Sequence, residues 1–359
     1  MNDPILPTVS IIIPTMKRRA FLEETLGYLL KADYPHDRLE VFIVDGGSTD
    51  GSKEVVERLQ QETAIRLRWH SDKSLRVSAA RNYAIQATDA EMLLFLDDDC
   101  ITRSDWVKEL IHPLLEGTAD IAGGTDYAPP DDPFLAQCED VAFSSWVGSG
   151  GVRGGSGPAV TGFCPMTCNM AMWRDKMREV GGFDETMKAV EDTDFVYKAR
   201  ENGLKVVFVP GATVQHRRRA AIRSICFHNY IRGYGRTFLM KRYPAQRQFA
   251  FLIPAAGVVL GVLLILLGLV WPLAWSILGI GIAVYMVLLG IAAIHGFQRV
   301  KAAAAFVVVP CLVALHHFWY ALGVLHAPLT GYRKLFVNCG TNLSDPFGTR
   351  KMRSQIPHD

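Results

Sequence analysis

Between residues 9 and 216, short β-branched runs alternate with amphipathic stretches in a regular order. Val9-Ser10-Ile11-Ile12-Ile13, ended by Pro14, predicts a buried strand. The pattern then predicts a helix over 20–31, a strand over 40–44, a helix over 52–61, a strand over 67–70, a helix over 77–87 and a strand over 92–96. Strands alternating with helices predict a mostly parallel sheet covered on both faces, an α/β fold. Farther on, 166–179 reads as a strand and then a helix, 191–202 as a helix and 206–209 as a short strand. The glycine-rich stretch 148–162 between them reads either as a loop over a cleft or as a plain connection.

After residue 218 the pattern changes. Phe227, Ile231, Tyr234 and Phe238 recur at helical spacing with Arg232 and Arg236 opposite, which predicts an amphipathic helix on a membrane surface or an ordinary surface helix packed on the soluble domain. Three long apolar runs follow, over 249–270, 273–294 and 302–327. The first two are long enough to cross a bilayer. The third contains Pro310, His316 and His317 and reads as a third span or a re-entrant segment. The expected organisation is a cytoplasmic catalytic domain over 1–218, an interface segment over 219–248, a membrane domain over 249–327 and a basic tail over 328–359.

Composition sharpens this division. The net charge of +2 gives no reason to expect a nucleic-acid partner, but between 249 and 330 the only charged side chains are Arg299 and Lys301. The seven cysteines show no zinc spacing and no disulfide framework, which suits reduced thiols. Asp3, Pro4 and Pro7 interrupt the start of the chain, so no secretory signal is expected and the first domain is expected on the cytoplasmic side of the inner membrane. The tail carries Arg333, Lys334, Arg350, Lys351 and Arg353, which favours the cytoplasm, whereas three full spans would put it outside.

The candidate chemistry starts at Asp97-Asp98-Asp99, where an apolar run ends abruptly in carboxylates. Three like charges so close repel one another, and a hard divalent cation, magnesium or manganese, would relieve them and bind a phosphorylated substrate. The plainer alternative is the acidic start of a helix near Trp106, capped by Ser104 or Asp105. If the segment stays extended, Asp97 and Asp99 share one face. Asp45 ends another strand, and ligands of parallel sheets gather at such carboxyl ends.

Several motifs occur in a telling order: Val9 to Thr15, Asp45-Gly46-Gly47-Ser48-Thr49-Asp50-Gly51, Ser78-Ala79-Ala80-Arg81-Asn82, Asp97-Asp98-Asp99, Gly181-Gly182-Phe183-Asp184-Glu185 and Glu191-Asp192. Each is weak alone; the ordered set resembles the family 2 glycosyltransferases. Tyr234-Gly235-Arg236 and the three apolar segments resemble, more loosely, the membrane-bound bacterial exopolysaccharide enzymes of the succinoglycan type. The resemblance implies a GT-A fold, Rossmann-like with a mostly parallel sheet, and a nucleotide-sugar donor, with uridine as the implied base.

It also implies roles. Pro14, Thr15, Asp45, Arg81, Asp97, Asp98 and Arg218 would bind the nucleotide sugar; Asp97, Asp99 and His216 would hold Mg or Mn; Asp192 would be the catalytic base, with Glu191 positioning donor or acceptor. Each residue has a plainer role as well. Asp45 could simply form its turn, Arg81 could be an exposed helix charge, His216 could be structural, and Glu191 and Asp192 could cap a helix. Gln215 and Arg218 match the Gln-x-x-Arg-Trp signature of processive synthases, but Arg219 stands where tryptophan is expected. Single-sugar transfer is therefore expected, and the arginines could clamp a diphosphate or bind anionic headgroups. The segment 73–77 also lacks the glycine common in that position of the family.

The expected activity is inverting, metal-dependent transfer of one sugar to a lipid-linked acceptor in the bilayer. Alternatives are a glycosyltransferase acting on polyprenyl phosphate or a ceramide-type lipid, and a non-catalytic nucleotide-sugar-binding scaffold. The oligomeric state stays open, a homo-oligomer included.

Overall fold

The computed structural model describes residues 6–149, 163–187 and 189–330. Most of the glycine-rich stretch 148–162 and of the basic tail lies outside the described residues. The chain divides into two compact units, one of Met1–Asp132, Gly151–Met187 and Glu191–Arg217, the other of Pro133–Gly150, Lys188–Val190 and Arg218–Asp359.

The first unit contains strands β1 (Val9–Thr15), β2 (Leu39–Asp45), β3 (Arg66–Ser71), β4 (Met92–Phe95), β5 (Cys100–Thr102), β6 (Ile121–Tyr127), β7 (Met170–Trp173) and β8 (Val206–His216). Its helices are α1 (Arg19–Leu29), α2 (Ser52–Gln61), α3 (Val77–Ala87), α4 (Trp106–Leu115), α7 (Arg174–Val180) and α8 (Glu191–Glu201). The strands form one sheet in the order β3-β2-β1-β4-β7-β6-β8-β5. β1, β2, β3 and β4 run parallel, whereas β7 is antiparallel to both β4 and β6, and β5 is antiparallel to β8.

The apolar runs are continuous because the sheet is buried on both faces. Ile11, Ile13, Val41, Ile43 and Leu94 join the core on one face; Ile12, Phe42, Val44, Leu93 and Phe95 join the core on the other. Full burial of each such side chain contributes roughly 1.5–3 kcal/mol. These strands are therefore the stiff base from which the polar ends project.

The second unit contains α5 (Phe134–Ser144), the short α6 (Trp146–Ser149), α9 (Ile222–Arg242), α10 (Ile253–Gly268), α11 (Leu273–Val300) and α12 (Ala305–Thr330). Among the described residues three helical segments are long and apolar enough to cross a membrane: Phe249–Gly268, Leu273–Val300 and Ala305–Thr330. The third runs on as one helix through Pro310. Trp271-Pro272 turns the chain between α10 and α11, and Trp275 Nε1 donates to the Gly268 carbonyl at 3.0 Å across that turn.

Two features depart from the sequence reading. The segment read as a surface helix, α9, packs along α12. Gly233 and Gly323 make this possible: a Cβ on Gly233 would stand 2.1 Å from the Tyr320 carbonyl oxygen, and one on Gly323 would stand 2.0 Å from that of Tyr230. Small residues let the two backbones approach where larger ones would hold them apart. The second departure is α5, which falls inside the range read as one catalytic domain over 1–218. It packs instead with the apolar helices, and Cys138, Val141 and Ala142 share a core with Ala292, Ala305, Val309 and Leu312. Glu139 on α5 receives a 2.7 Å contact from His316 Nε2, and His317 Nε2 meets the Val147 carbonyl at 2.9 Å. The two histidines that suggested a partly inserted third segment thus have polar partners within their own unit.

Candidate active site

Three neighbouring strands of the first unit end in polar residues. β2 delivers Asp45, β1 delivers Pro14 and Thr15, and the chain leaving β4 delivers Asp97, Asp98 and Asp99. The sheet order β2-β1-β4 sets these ends side by side.

Asp45 is buried and spends its carboxylate on its own turn. It accepts from the Gly47 amide at 3.1 Å, from the Ser48 amide at 2.9 and 3.0 Å, and from the Ser71 hydroxyl at 2.6 Å. Gly47 follows with φ of +89°, a conformation that L side chains rarely adopt. The turn-forming role is thus filled whatever else Asp45 does.

The acidic run does not stay extended. β4 ends at Phe95, and Asp98 and Asp99 lie in a turn before β5. The alternation expected from an extended chain is therefore broken, and the carboxylates divide differently. Asp97 is the more open one and accepts from Arg81 Nη2 at 3.0 Å. Asp98 and Asp99 are buried and share Arg18: Nη1 donates to Asp98 Oδ1 at 2.7 Å, and Nη2 to Asp99 Oδ2. Thr15 Oγ1 donates to the other Asp98 oxygen at 2.7 Å, and Thr25 Oγ1 to the Asp98 carbonyl at 3.0 Å. The plainer reading of the run as a helix start does not apply. A helix does begin at Trp106, but β5 stands between it and the acids.

β8 runs much longer than the sequence pattern suggests and ends at His216, paired with Cys100 of β5. That pairing brings His216 Nε2 to 3.1 Å from Asp99 Oδ1, with Nδ1 3.5 Å from Asp126 Oδ2. Burial opposes the imidazolium, but Asp99, Cys168 and Asp126 outweigh it and hold His216 well above the ordinary histidine range. Burial likewise opposes the Asp99 charge, yet His216 and Arg18 hold that carboxyl far below its usual range. For Asp98 burial wins: against the pull of Arg18, and with the Asp99 charge adding to it, the carboxyl is pushed up to about 7.

This cluster fits a divalent cation. Asp99, Cys100 and His216 bring ligand atoms within 4.8 Å of one another. The Asp99 carboxylate oxygen suits manganese or magnesium; the His216 nitrogen suits manganese better than magnesium and would ligate only after losing its proton, and the buried Cys100 thiol is a softer donor that suits neither. Arg18 and His216 are the basic groups placed beside these acids.

Arg81 is buried, not the exposed helix charge that α3 would allow. Its guanidinium spans from Asp97 to Glu191 Oε1, at 3.3 Å. A guanidinium so far from water needs such partners, because leaving a buried charge unpaired costs several kcal/mol. Glu191 and Asp192 open α8, and Asp192 Oδ1 accepts the Thr193 amide at 2.7 Å. Burial foremost, then the Asp192 charge, raises Glu191, with Arg81 opposing.

The Gly-Gly-Phe-Asp-Glu motif is locked to the next residue of α3. Asn82 accepts the Phe183 amide at 2.9 Å and donates to the Phe183 carbonyl at 2.8 Å and to Glu185 at 2.9 Å. Gly181 and Gly182 turn the chain with φ of +89° and +70°, and a Cβ on Gly182 would stand 2.6 Å from Asn82 Oδ1. Phe183 packs edge-on against Phe95 at 5.3 Å, just before Asp97.

Arg217 and Arg218 serve different units. Arg217 grips Glu24 with Nε at 2.8 Å and Nη2 at 2.6 Å, and reaches Asp131 and Asp132 at 3.0 Å. Arg218, read as a diphosphate clamp, donates to Asp140 of α5 at 2.7 Å within the second unit. The sequence reading missed Arg18 and took Arg217 only as one of the arginines that could clamp a diphosphate or bind headgroups. The one available signal for Arg18 was a basic run, Lys17-Arg18-Arg19, shortly after the first expected strand, opposite an acidic run in the predicted sheet.

Residues 10–180 match the profile described as Glycosyl transferase family 2. Glycosyltransferase AglE of Haloferax volcanii is 24% identical over 56% of this chain and 64% of its own length. Validoxylamine A glucosyltransferase of Streptomyces hygroscopicus subsp. jinggangensis is 32% identical over 30% of this chain. The chain spans under two thirds of these two relatives, 64% of the first and 25% of the second. Succinoglycan biosynthesis protein ExoA of Rhizobium meliloti is 27% identical over 80% of this chain and 88% of its own. The fold is shared with mannosyltransferase PcManGT from Pyrobaculum calidifontis, solved in complex with GDP-Man and Mn2+, at a TM-score of 0.60 and 18% identity, over 88% of this chain and 89% of that one.

Proposed function

We propose that this chain, a family 2 glycosyltransferase of GT-A fold, moves one sugar from a nucleotide diphosphate sugar to a lipid-linked acceptor in the membrane, with inversion at the anomeric carbon. The observation that carries this reading is the buried bridge from Asp97 through Arg81 to Glu191. It ties the acids suited to a diphosphate to the acids suited to a proton transfer, across two sides of one sheet end.

Asp192 is the base. Its carboxylate takes the proton of the acceptor hydroxyl as that oxygen attacks the anomeric carbon, and the bond to the diphosphate breaks on the opposite side. Glu191, held by Arg81, positions the donor or acceptor beside it. Asp99, His216 and Asp97 would hold Mg or Mn, whose charge, when bound, stabilises the departing diphosphate. Pro14, Thr15, Asp45 and Asp98 would line the nucleotide pocket. Arg218, already paired with Asp140, would serve a diphosphate only by leaving that partner.

Three apolar helices support a membrane-held enzyme, and an acceptor dissolved in the same bilayer gives them a purpose. The catalytic unit would face the cytoplasm, where nucleotide sugars are made. A uridine diphosphate sugar is the first donor to try.

The test uses membranes containing the full chain, a panel of labelled UDP- and GDP-sugars, and lipid extract. The expected result is label in the organic-extractable lipid together with release of nucleoside diphosphate. Nucleotide binding without any turnover across the panel would favour a non-catalytic scaffold. Label appearing only in water-soluble products would rule out the lipid acceptor.

A further inference from the structure

The geometry points to Arg18 as a built-in competitor of the divalent cation, a resident positive charge that holds Asp99 until the ion displaces or outweighs it. This rests on the reading of Asp99 and His216 as cation ligands.

Arg18 is placed for this by its neighbours. Lys17 takes the left-handed conformation, with φ of +54°, and its amide donates to Ser48 Oγ at 2.6 Å. The Arg19 amide donates to Asp50 Oδ2 at 3.1 Å. The residues on either side are thus tied to the turn after β2, and the Arg18 side chain goes to the acids after β4. It spans Asp98 and Asp99 through two different nitrogens. The Arg18 side chain is 31% exposed, while those of Asp98 and Asp99 are 4% and 9% exposed. The guanidinium can therefore be released toward solvent while the acids stay in place.

Asp99 is the shared element. One of its oxygens holds Arg18 and the other faces His216. A guanidinium thus occupies a buried carboxylate that a divalent cation would need. A divalent cation within a few ångströms of that guanidinium in a poorly hydrated site is repelled by it, so each weakens the other's hold on Asp99. A protein arranged this way loads its cation weakly by itself. The negative diphosphate that arrives with the donor offsets the excess positive charge. Arg18 in this role sets how far the cation depends on the nucleotide, and it need not touch the reacting atoms.

The experiment measures Mn2+ binding to the full-length protein in detergent, without nucleotide, by the signal of free Mn2+ in electron paramagnetic resonance. Arg18→Gln is expected to bind Mn2+ roughly tenfold more tightly than the parent, in line with removing one nearby positive charge. Arg18→Lys keeps the charge and is expected to stay within about threefold of the parent. Equal affinity in Arg18→Gln and the parent would overturn the proposal, and so would weaker binding in Arg18→Gln. Should Arg18→Gln fail to fold, Arg18→Gln/Asp98→Asn replaces it and is compared with Asp98→Asn; a double variant that binds no more tightly than the single one overturns the proposal equally. Asp99→Ala separates the two readings. If it binds Mn2+ as the parent does, the cation site itself is wrong and the role of Arg18 falls with it. If it loses Mn2+ while Arg18→Gln gains nothing, only the role of Arg18 falls.

Discussion

Arg81 and Glu191, 110 positions apart in the chain, meet through a 3.3 Å ion pair in which the arginine is almost wholly buried. The same guanidinium holds Asp97, so one side chain fixes the distance between two acidic motifs. Arg81→Ala should leave Asp97 and Glu191 without their shared cation and cost about 1–3 kcal/mol of stability, read from denaturant unfolding of the detergent-solubilised protein. Arg81→Lys should fold but lose the two-way geometry, with turnover down by roughly one to two orders of magnitude. Full turnover in the lysine variant would show that the bridge does not align the site.

Asp192 is the proposed base. Asp192→Asn preserves the acceptor of the Thr193 amide, so the start of α8 should survive. Turnover should fall by about 10²–10⁴ with the donor KM little changed, since general base catalysis contributes about that much. Steady-state kinetics of the purified variant check this; an unaltered kcat would move the base elsewhere.

Chelation should remove activity, and manganese or magnesium should restore it. Asp99→Ala should lose both the activity and its restoration, since one of its oxygens lies 3.1 Å from His216. Titration of turnover against added cation after dialysis with EDTA gives the answer. Activity that survives chelation in the parent would turn the acids into a purely ionic structural knot.

Gly182 takes a φ of +70°, and a Cβ there would meet Asn82. Gly182→Ala should therefore cost about 1–3 kcal/mol from backbone strain and lower the unfolding temperature by several degrees. Gly117 makes a contrast: its φ is +67°, but a Cβ there meets nothing within 4 Å, so the same change should cost less. Equal losses at the two positions would remove Asn82 from the account.

Glu139 and His316 meet at 2.7 Å among apolar helices. Glu139→Ala should leave the histidine without that partner and cost about 1–3 kcal/mol, seen as a lower unfolding temperature in detergent. Glu139→Gln, which can still accept, should cost less. A stable alanine variant would mean that the pair contributes only packing.

Much of the first unit was legible because its strands are buried on both faces. Runs such as Ile11-Ile12-Ile13 and Met92 to Leu96 have no competing helical reading once turn residues bound them. β6 and the full length of β8 were not legible. Ile121–Tyr127 contains two adjacent glycines and no alternation, and its pairing comes from strands far away in the chain. The acidic run was legible as a site but not as a shape: a single turn at Asp98-Asp99 reversed which acids share a partner. Arg18 was invisible for a related reason. One member of the basic run Lys17-Arg18-Arg19 acquires meaning only when the sheet order brings β1 beside β4. In the second unit the long apolar runs announced themselves, whereas α5 looked like an ordinary amphipathic segment of the first domain. Its place was decided by partners more than 80 residues downstream, Ile225 and Ala305 among them.

That placement of α5 bears on how the enzyme can be dissected. A fragment cut at residue 217 to obtain a water-soluble catalyst would keep Phe134–Ser144 but discard the helices that cover Cys138, Val141 and Ala142. The bared stripe would favour clumping in aqueous buffer however sound the nucleotide pocket was. Bridging Asp132 to 163 with a polar linker, in addition to the cut, is the shorter road to a piece that stays dispersed.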